Sequence, residues 1–415
     1  MSRWQKWAAL DRRVWQMAFA RAVNTMGLSL VMSFLGIYVV ETRGYPAWLY
    51  GLVCLVANLG QSWSNAWAGG LSDRIGRRPL ITNSLFVRSV VIAGLGTQVA
   101  LDMPLWSLAL NMIVSSSLRG CFEPVAYALV SDVVTDDQRI AAFGLQRMGT
   151  NLGWAIGPAL GGVLTLWLPY GTIFYIAAAG MIVAAVVTMS VEDPVHVRAR
   201  ADGDGDVRGA LRTSFADPVL RLLLAGTFLC ALLETQMFST FSIYMTEKIH
   251  LTKATVGLLY TINGCGVLFL QVPALSLIRR LGISATLPWA SLLDALGFAL
   301  IGVGTGFPGG AVAMLTLTSA EVIFDPAHQT AIAEVADPAH RGRTYGVVGF
   351  TQMVGIALAP LCGGILLDTV GDNHLLMWGL IACIGVGQAI CFAMFVRRRS
   401  ASWDVKTPAT PRQKI

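Results

Sequence analysis

Pro158-Ala159-Leu160-Gly161-Gly162 returns 202 residues later as Pro360-Leu361-Cys362-Gly363-Gly364. Outward from this run the same spacing pairs Gly153 with Gly355, Gly144 with Gly346, Arg139 with Arg341 and Asp132 with Glu334. It ends by pairing Phe122-Glu123-Pro124 with Phe324-Asp325-Pro326. The retained residues are mostly Gly, Pro and Phe, which shape a backbone or fill a fixed space, rather than interchangeable aliphatics. Gapless repetition of such residues implies two halves of similar structure. Earlier in each half the spacing becomes 206, pairing Ile37-Tyr38 with Ile243-Tyr244 and Arg74/Gly76 with Arg280/Gly282.

The chain has 415 residues, 55% hydrophobic and 13% charged. Soluble domains carry about a quarter charged residues, so the composition is that of a membrane protein. Cys54, Cys121, Cys230, Cys265, Cys362, Cys383 and Cys391 all lie in apolar stretches, without a CxxC or a His at ligand spacing. They read as small buried hydrophobes, not as disulfides or zinc ligands. No P-loop, no GxSxG and no metal-ligand spacing occurs. An ATP-driven pump, a membrane hydrolase and a metal site therefore have no support, and no cofactor is expected. The basic start (Arg3, Lys6, Arg12, Arg13) runs into a span too long for a signal-peptide core, so no cleavable signal is expected.

Apolar runs of about 20 residues or more predict spans near 14–40, 48–71, 80–101, 105–133, 140–167 and 171–191. A second set follows near 218–245, 253–277, 283–306, 309–335, 344–368 and 375–396. The expected fold is an all-α membrane protein of twelve transmembrane helices in two pseudo-symmetric six-helix bundles. The bundles are 1–191 and 218–398, joined by a polar linker at 192–217 with a short surface helix near 207–214, and followed by a tail at 399–415. Outside the spans, every Lys and Arg but Arg43, Lys248 and Lys253 falls on the side of the termini. The positive-inside rule then makes both termini, the linker and the tail cytoplasmic. The net charge of +6 is topological, and no nucleic-acid partner is expected.

Between spans 2 and 3 stands Gly69-Gly70-Leu71-Ser72-Asp73-Arg74-Ile75-Gly76-Arg77-Arg78-Pro79-Leu80. Gly76 permits a left-handed turn between two helices, and Arg77 and Arg78 lie at the membrane surface, where they can pair with carboxylates. The run resembles the loop signature of the major facilitator superfamily, G-x-x-x-D-R-x-G-R-R. The resemblance implies that Gly69, Asp73, Arg74, Gly76, Arg77 and Arg78 form a gating latch at the cytoplasmic side, with Asp132 as partner of Arg77. Topology-setting alone is the competing reading of the arginines. The Asp73 position is Arg279 in the second half, which argues against a second latch. Span 5 carries Gly153, Gly157, Pro158, Gly161 and Gly162, resembling the antiporter signature of the same family, G-x-x-x-G-P-x-x-G-G. That implies an exporter, while close helix packing by small residues is a reading of the same residues from geometry alone.

Charges within a bilayer are expensive and mark function. Arg21 lies in span 1, Arg88 in span 3, Arg119 and Glu123 in span 4, Arg147 in span 5, Glu234 in span 7 and Asp294 in span 9; Glu321, Asp325 and His328 lie in span 10. Arg119 and Glu123, four apart, can neutralise each other on one helix face, but their repeat counterparts are Glu321 and Asp325. Ionising both carboxyls in low dielectric is costly, so one is expected to hold a proton. Asp325 and Glu321 lead the proton-coupling candidates, followed by Glu234 and Glu123; pairing of Glu321 with Arg21 or Arg119 is the rival reading. Asp294 is expected to meet a neighbouring helix, and Arg88 and Arg147 to snorkel or pair near the cytoplasmic face.

The resemblance places spans 1, 4, 7 and 10 around a central cavity, which makes Arg21, Asn24, Arg119, Tyr38, Met237, Phe241 and His328 substrate-cavity candidates. Trp48, Trp106, Trp167 and Trp378 read as interface anchors. Together these readings predict a monomeric secondary transporter in a bacterial cytoplasmic membrane, exporting small amphipathic, drug-like molecules in exchange for protons by alternating access. A proton-coupled exporter of a specific metabolite or short peptide is the first alternative. A non-transporting membrane sensor of the same fold is the second.

Overall fold

The computed structural model describes residues 10–135, 138–192, 217–335 and 341–406. Most of the linker, including its expected helix near 207–214, and the end of the tail lie outside the described residues. Among the described residues the regular structure is entirely helical. The first half contains α1 (Arg12–Thr42), α2 (Ala47–Ile75), α3 (Arg77–Ala100), α4 (Leu105–Asp132), α5 (Arg139–Leu164) and α6 (Tyr170–Met189). The second contains α7 (Pro218–Glu247), α8 (Lys253–Leu281), α9 (Ile283–Val303), α10 (Gly306–Val335), α11 (Arg341–Val370) and α12 (His374–Lys406).

Nine described helices are long and apolar enough to cross a membrane. The other three, α2, α4 and α5, carry polar side chains well inside their spans: Asn58, Gln61 and Asn65; Asn111, Ser115, Arg119 and Glu123; and Gln146 and Asn151. These polar residues lower the apparent hydropathy of helices that face other helices rather than lipid alone.

Local chemistry sets the helix ends. Asp11 caps α1 by accepting from the Arg13 backbone N–H at 2.8 Å, which satisfies one of the free first-turn donors. The Arg13 side chain also bonds Asp11 and holds its carboxyl below the usual carboxylate range. Gly76, between α2 and α3, sits at φ +96°, and Gly282, between α8 and α9, at φ +75°. Only glycine adopts this backbone without strain, so the two tight turns are repeat equivalents. α2 runs two residues past Asp73 before it stops. Pro124, Pro158, Pro273, Pro288, Pro326 and Pro360 sit inside helices. α7 is interrupted at Ser239, and α1 ends in a widened turn over Tyr38–Thr42.

In the first half α1 packs on α5 and α6, α2 on α4, and α3 on α4 and α6; in the second, α9 packs on α10 and α12. The repeated Phe122 and Phe324 fill equivalent places: Phe122 lies in a core with Val14, Leu85 and Leu129, and Phe324 in a core with Leu223, Phe392 and Phe395. Trp378 is fully buried and stacks on Phe298. It is a core residue, not an interface anchor, because α12 turns that face onto α9. Trp48, Trp106 and Trp167 are exposed.

The chain divides into two compact units. One holds the six first-half helices together with Thr235–Cys265 and Ala357–Asp372; the other holds the second-half helices up to Glu234, over Gly266–Ile356 and from Asn373 onward. The division cuts α7, α8 and α11 because their ends remote from the termini pack on first-half helices.

Glycines of α5 let that helix lie directly on α1. A methyl at Gly153 would sit 2.6 Å from the Ala22 carbonyl oxygen and 2.7 Å from the Thr25 Cβ. One at Gly144 would meet nothing within 4 Å. Gly153→Ala is therefore expected to lower thermal stability by about 1–3 kcal/mol through overpacking. Gly144→Ala should be neutral or stabilise by up to about 1 kcal/mol through helix propensity. Thermal unfolding of the two purified variants checks the contrast.

Candidate functional site

The first half gathers three guanidinium groups around one carboxylate. Arg21, on the α5-facing side of α1 and 1% exposed, donates from Nη1 to Glu123 Oε2 at 2.5 Å and from Nε to Gln146 Oε1 at 3.3 Å. Gln146 in turn donates to the Val14 carbonyl at 3.0 Å. The Arg21 guanidinium lies 4.0 Å from the centre of the Tyr127 ring, within cation–π range. Arg119 is farther from Glu123, at 3.7 Å, and its Nη1 donates to Gln61 Oε1 on α2 at 3.3 Å. Glu123 is thus held chiefly from α1, not by its neighbour one turn away.

Arg88 neither snorkels nor pairs at the surface. It is 2% exposed, donating to Asn24 Oδ1 on α1 and, at 3.2 Å, to Ser115 Oγ on α4. Both partners are neutral. Its position on α3 turns it into the bundle between α1 and α4, where the membrane surface is out of reach.

The second half has the opposite character. Glu234, Asp294, Glu321 and Asp325 lie close enough to act on one another electrostatically, and the groups acting most strongly on Glu234 and Asp294 are carboxyls. Asp294 is buried and the other three are half-buried. Asp294 therefore belongs with the acids of α7 and α10, instead of serving only as a helix contact. His328, although three residues from Asp325, bonds Thr227 Oγ1 at 2.8 Å and packs among Phe324 and Phe392. Its ring faces the core of that unit.

At the end of the helices near the termini, Arg77 forms an ion pair with Asp132. Glu334, the repeat counterpart of Asp132, pairs instead with Arg399 of α12. Arg74 is exposed, and the side chains of Gly69, Asp73 and Arg279 lie outside the described residues.

At the opposite end, both repeated glycine pairs make close helix crossings. A Cβ on Gly162 would lie 3.0 Å from the Lys253 carbonyl oxygen and 3.1 Å from the Gly257 Cα, where α5 meets the start of α8. One on Gly364 would lie 2.5 Å from the Ala47 carbonyl oxygen, where α11 meets the start of α2. There Asp368 accepts from the Ala47 and Trp48 backbone N–H groups at 3.0 and 2.7 Å, capping α2 with a charge that its N-terminal dipole favours. Tyr38 also sits at this end, bonded to Asp102 at 2.8 Å and away from Arg21 and Asn24. Phe241 and the Met237 carbonyl pack around Tyr260.

The sequence reading undervalued Arg88, Asp294, Gln61 and Gln146. A charged or amide residue in mid-span was the available signal for all four. Asp368 left none, since its role depends on a helix start 320 residues away.

A model of the Major Facilitator Superfamily matches residues 17–244 and 223–414. The uncharacterized MFS-type transporter YqjV of Bacillus subtilis (strain 168) is 26% identical over 375 residues, covering 89% of this chain and 90% of that protein. The multidrug resistance protein MdtH of Aeromonas salmonicida (strain A449) is 27% identical over 388 residues, covering 90% and 92%. Among solved structures, the nucleoside transporter NupG superposes with a TM-score of 0.75 at 15% identity over 93% of this chain and 99% of that one. The peptide transporter POT in complex with sulfate gives 0.72 at 15% identity over 96% and 98%. At such identities the structural likeness carries the fold.

The charge geometry makes the two members of the Arg21–Glu123 pair unequal. Glu123→Gln leaves two buried cations and the half-buried Arg119 without an anion and is expected to cost about 3–5 kcal/mol of stability. Arg21→Gln should cost distinctly less, because Arg119 still faces Glu123. Thermal unfolding of the purified single variants measures the order, and equal losses would contradict it.

Proposed function

The chain belongs to the Major Facilitator Superfamily, and on that premise we propose that it is a proton-coupled exporter of small amphipathic molecules working by alternating access. The observation that carries this reading is the segregation of buried charge. Guanidinium groups gather in the first half around Glu123, and four carboxyls gather in the second. Several carboxyls this close together inside a helix bundle cannot all ionise cheaply, so they take up and release protons as a coupled set. Protonation then favours one facing state and substrate the other, which is the requirement for exchange.

Export, rather than import, is supported by Gly153, Gly157, Pro158, Gly161 and Gly162 and by relatives named multidrug resistance proteins. Gly162 on α8 and Gly364 with Asp368 on α2 form contacts that separate each time the cavity opens at that end. In this reading the Arg77–Asp132 pair, which joins α3 to α4, belongs with Asp73 to the gating latch at the other end. The protein acts as a monomer in a bacterial cytoplasmic membrane with both termini inside, a reading supported by the bacterial relatives and by the loop arginines.

A second reading, a narrower exporter of a charged metabolite or short peptide, draws support from Arg21, Arg88 and Arg119 outnumbering Glu123. The test uses liposomes with an imposed pH gradient. Efflux of a lipophilic cation should follow the gradient and be lost in the Glu234→Gln/Glu321→Gln/Asp325→Asn triple variant. Undiminished gradient-driven flux in that variant removes the acids from the mechanism. Inhibition by dipeptides but not by lipophilic cations would favour the second reading.

A further inference from the structure

A partly open cavity lies within the first-half bundle, around the middle of α1 to α4. Leu28, Val31, Ile92 and Leu95 give it one apolar wall; Arg88 and Arg119 also line it. Arg88 uses Nε on Ser115 and Nη1 on Asn24, so its charge meets only neutral acceptors. Arg119 uses Nη1 on Gln61, and its Nε, buried and without a hydrogen bond, stands 3.7 Å from Glu123. Glu123 is already held at 2.5 Å by Arg21. Guanidinium stays protonated in proteins, and an unpaired buried charge is costly. Among these partners three guanidinium groups thus share one carboxylate, Glu123, and two of them, Arg88 and Arg119, stand beside an apolar wall with more positive charge than the bundle's own acid matches.

We propose that this cavity binds the carboxylate or phosphate of an amphipathic organic acid, with Arg88 and Arg119 as its cationic anchors. A second feature narrows the ligand. Asn111, also in the lining, donates from Nδ2 to the Val91 carbonyl at 2.9 Å, while its buried Oδ1 has no partner. That oxygen calls for a hydroxyl or N–H on the ligand's body. An aromatic or aliphatic acid bearing one donor meets all three demands: the anion on the arginines, the donor on Asn111, the apolar frame on α1 and α3. Binding rests on the cavity alone; only the step from bound acid to exported substrate rests on the transport reading above.

The test measures ligand binding to the purified full-length protein, in detergent and without a gradient, at constant ionic strength. The probes are para-hydroxybenzoate, its cationic analogue tyramine, and inorganic phosphate, read by intrinsic tryptophan fluorescence and by thermal shift. Saturable binding of para-hydroxybenzoate with no competition from tyramine is expected. Phosphate competing as strongly as the acid identifies a free anion as the natural occupant; weak competition identifies an organic acid. Arg88→Gln and Arg119→Gln should each weaken binding by about tenfold or more, close to 1.4 kcal/mol. Arg88→Lys, which keeps the charge but not the forked geometry, should lie between.

Should Arg88→Gln fail to fold, Arg119→Gln and competition on the unaltered protein carry the test. Equal binding of tyramine and the acid, or undiminished affinity in the folded variants, overturns the proposal. Lost binding with gradient-driven flux intact counts against this site only, whereas intact binding without such flux counts only against the exporter reading.

Discussion

A guanidinium inside a low-dielectric helix bundle must be met by negative charge or by well-aimed dipoles, and the first half is arranged around that demand. Arg21 ties α1 to α4 through Glu123 and to α5 through Gln146. Arg88 ties α3 to α1 and α4 through Asn24 and Ser115. Arg119 ties α4 to α2 through Gln61. Three cations thereby link five of the six helices in one polar network, with Glu123 as the only carboxylate among these partners. In such a network each missing partner leaves a buried charge exposed to its neighbours, so its members act as a unit.

Around this network the apolar packing works by close approach. α5 presents glycines to α1 along one face and Gly162 to α8 along another, while Gly363 and Gly364 of α11 repeat the arrangement against α7 and α2. Small residues bring backbones together without interlocking long side chains. Polar contacts at the same end include Asp368 on the α2 amides, Tyr38 with Asp102 at 2.8 Å, Lys248 with Asp372 at 2.7 Å, and Lys253 over the Tyr170 ring at 4.4 Å.

Most of the architecture was legible in the sequence because its signals are local or repeated. Twelve apolar runs, two Gly turns at matching places and the repeated Phe122 and Phe324 needed no knowledge of distant contacts. The pairing of charges was less legible. An i, i+4 rule joins Arg119 to Glu123, yet Arg21 from another helix takes the shorter bond. The repeat alignment puts Asp132 and Glu334 at equivalent positions, yet one pairs with α3 and the other with α12. Helical periodicity leaves His328 beside Asp325, but the backbone rotation turns its ring to Thr227 and the aromatic core. Which neighbouring helix claims a side chain is a tertiary fact, and a single helix cannot state it.

The two halves thus share a backbone plan and differ in buried charge, cationic in one and acidic in the other. If this asymmetry assigns proton exchange to the second half, carboxyl groups there must be protonated near neutral pH in the resting protein. Infrared difference spectroscopy of the membrane-reconstituted protein reads protonated carboxyls directly. The account predicts a protonated-carboxyl band that titrates with pH, diminishes when Glu234, Asp294, Glu321 or Asp325 is replaced by its amide, and survives Glu123→Gln. A band that disappears with Glu123→Gln, or no such band at all, would contradict it.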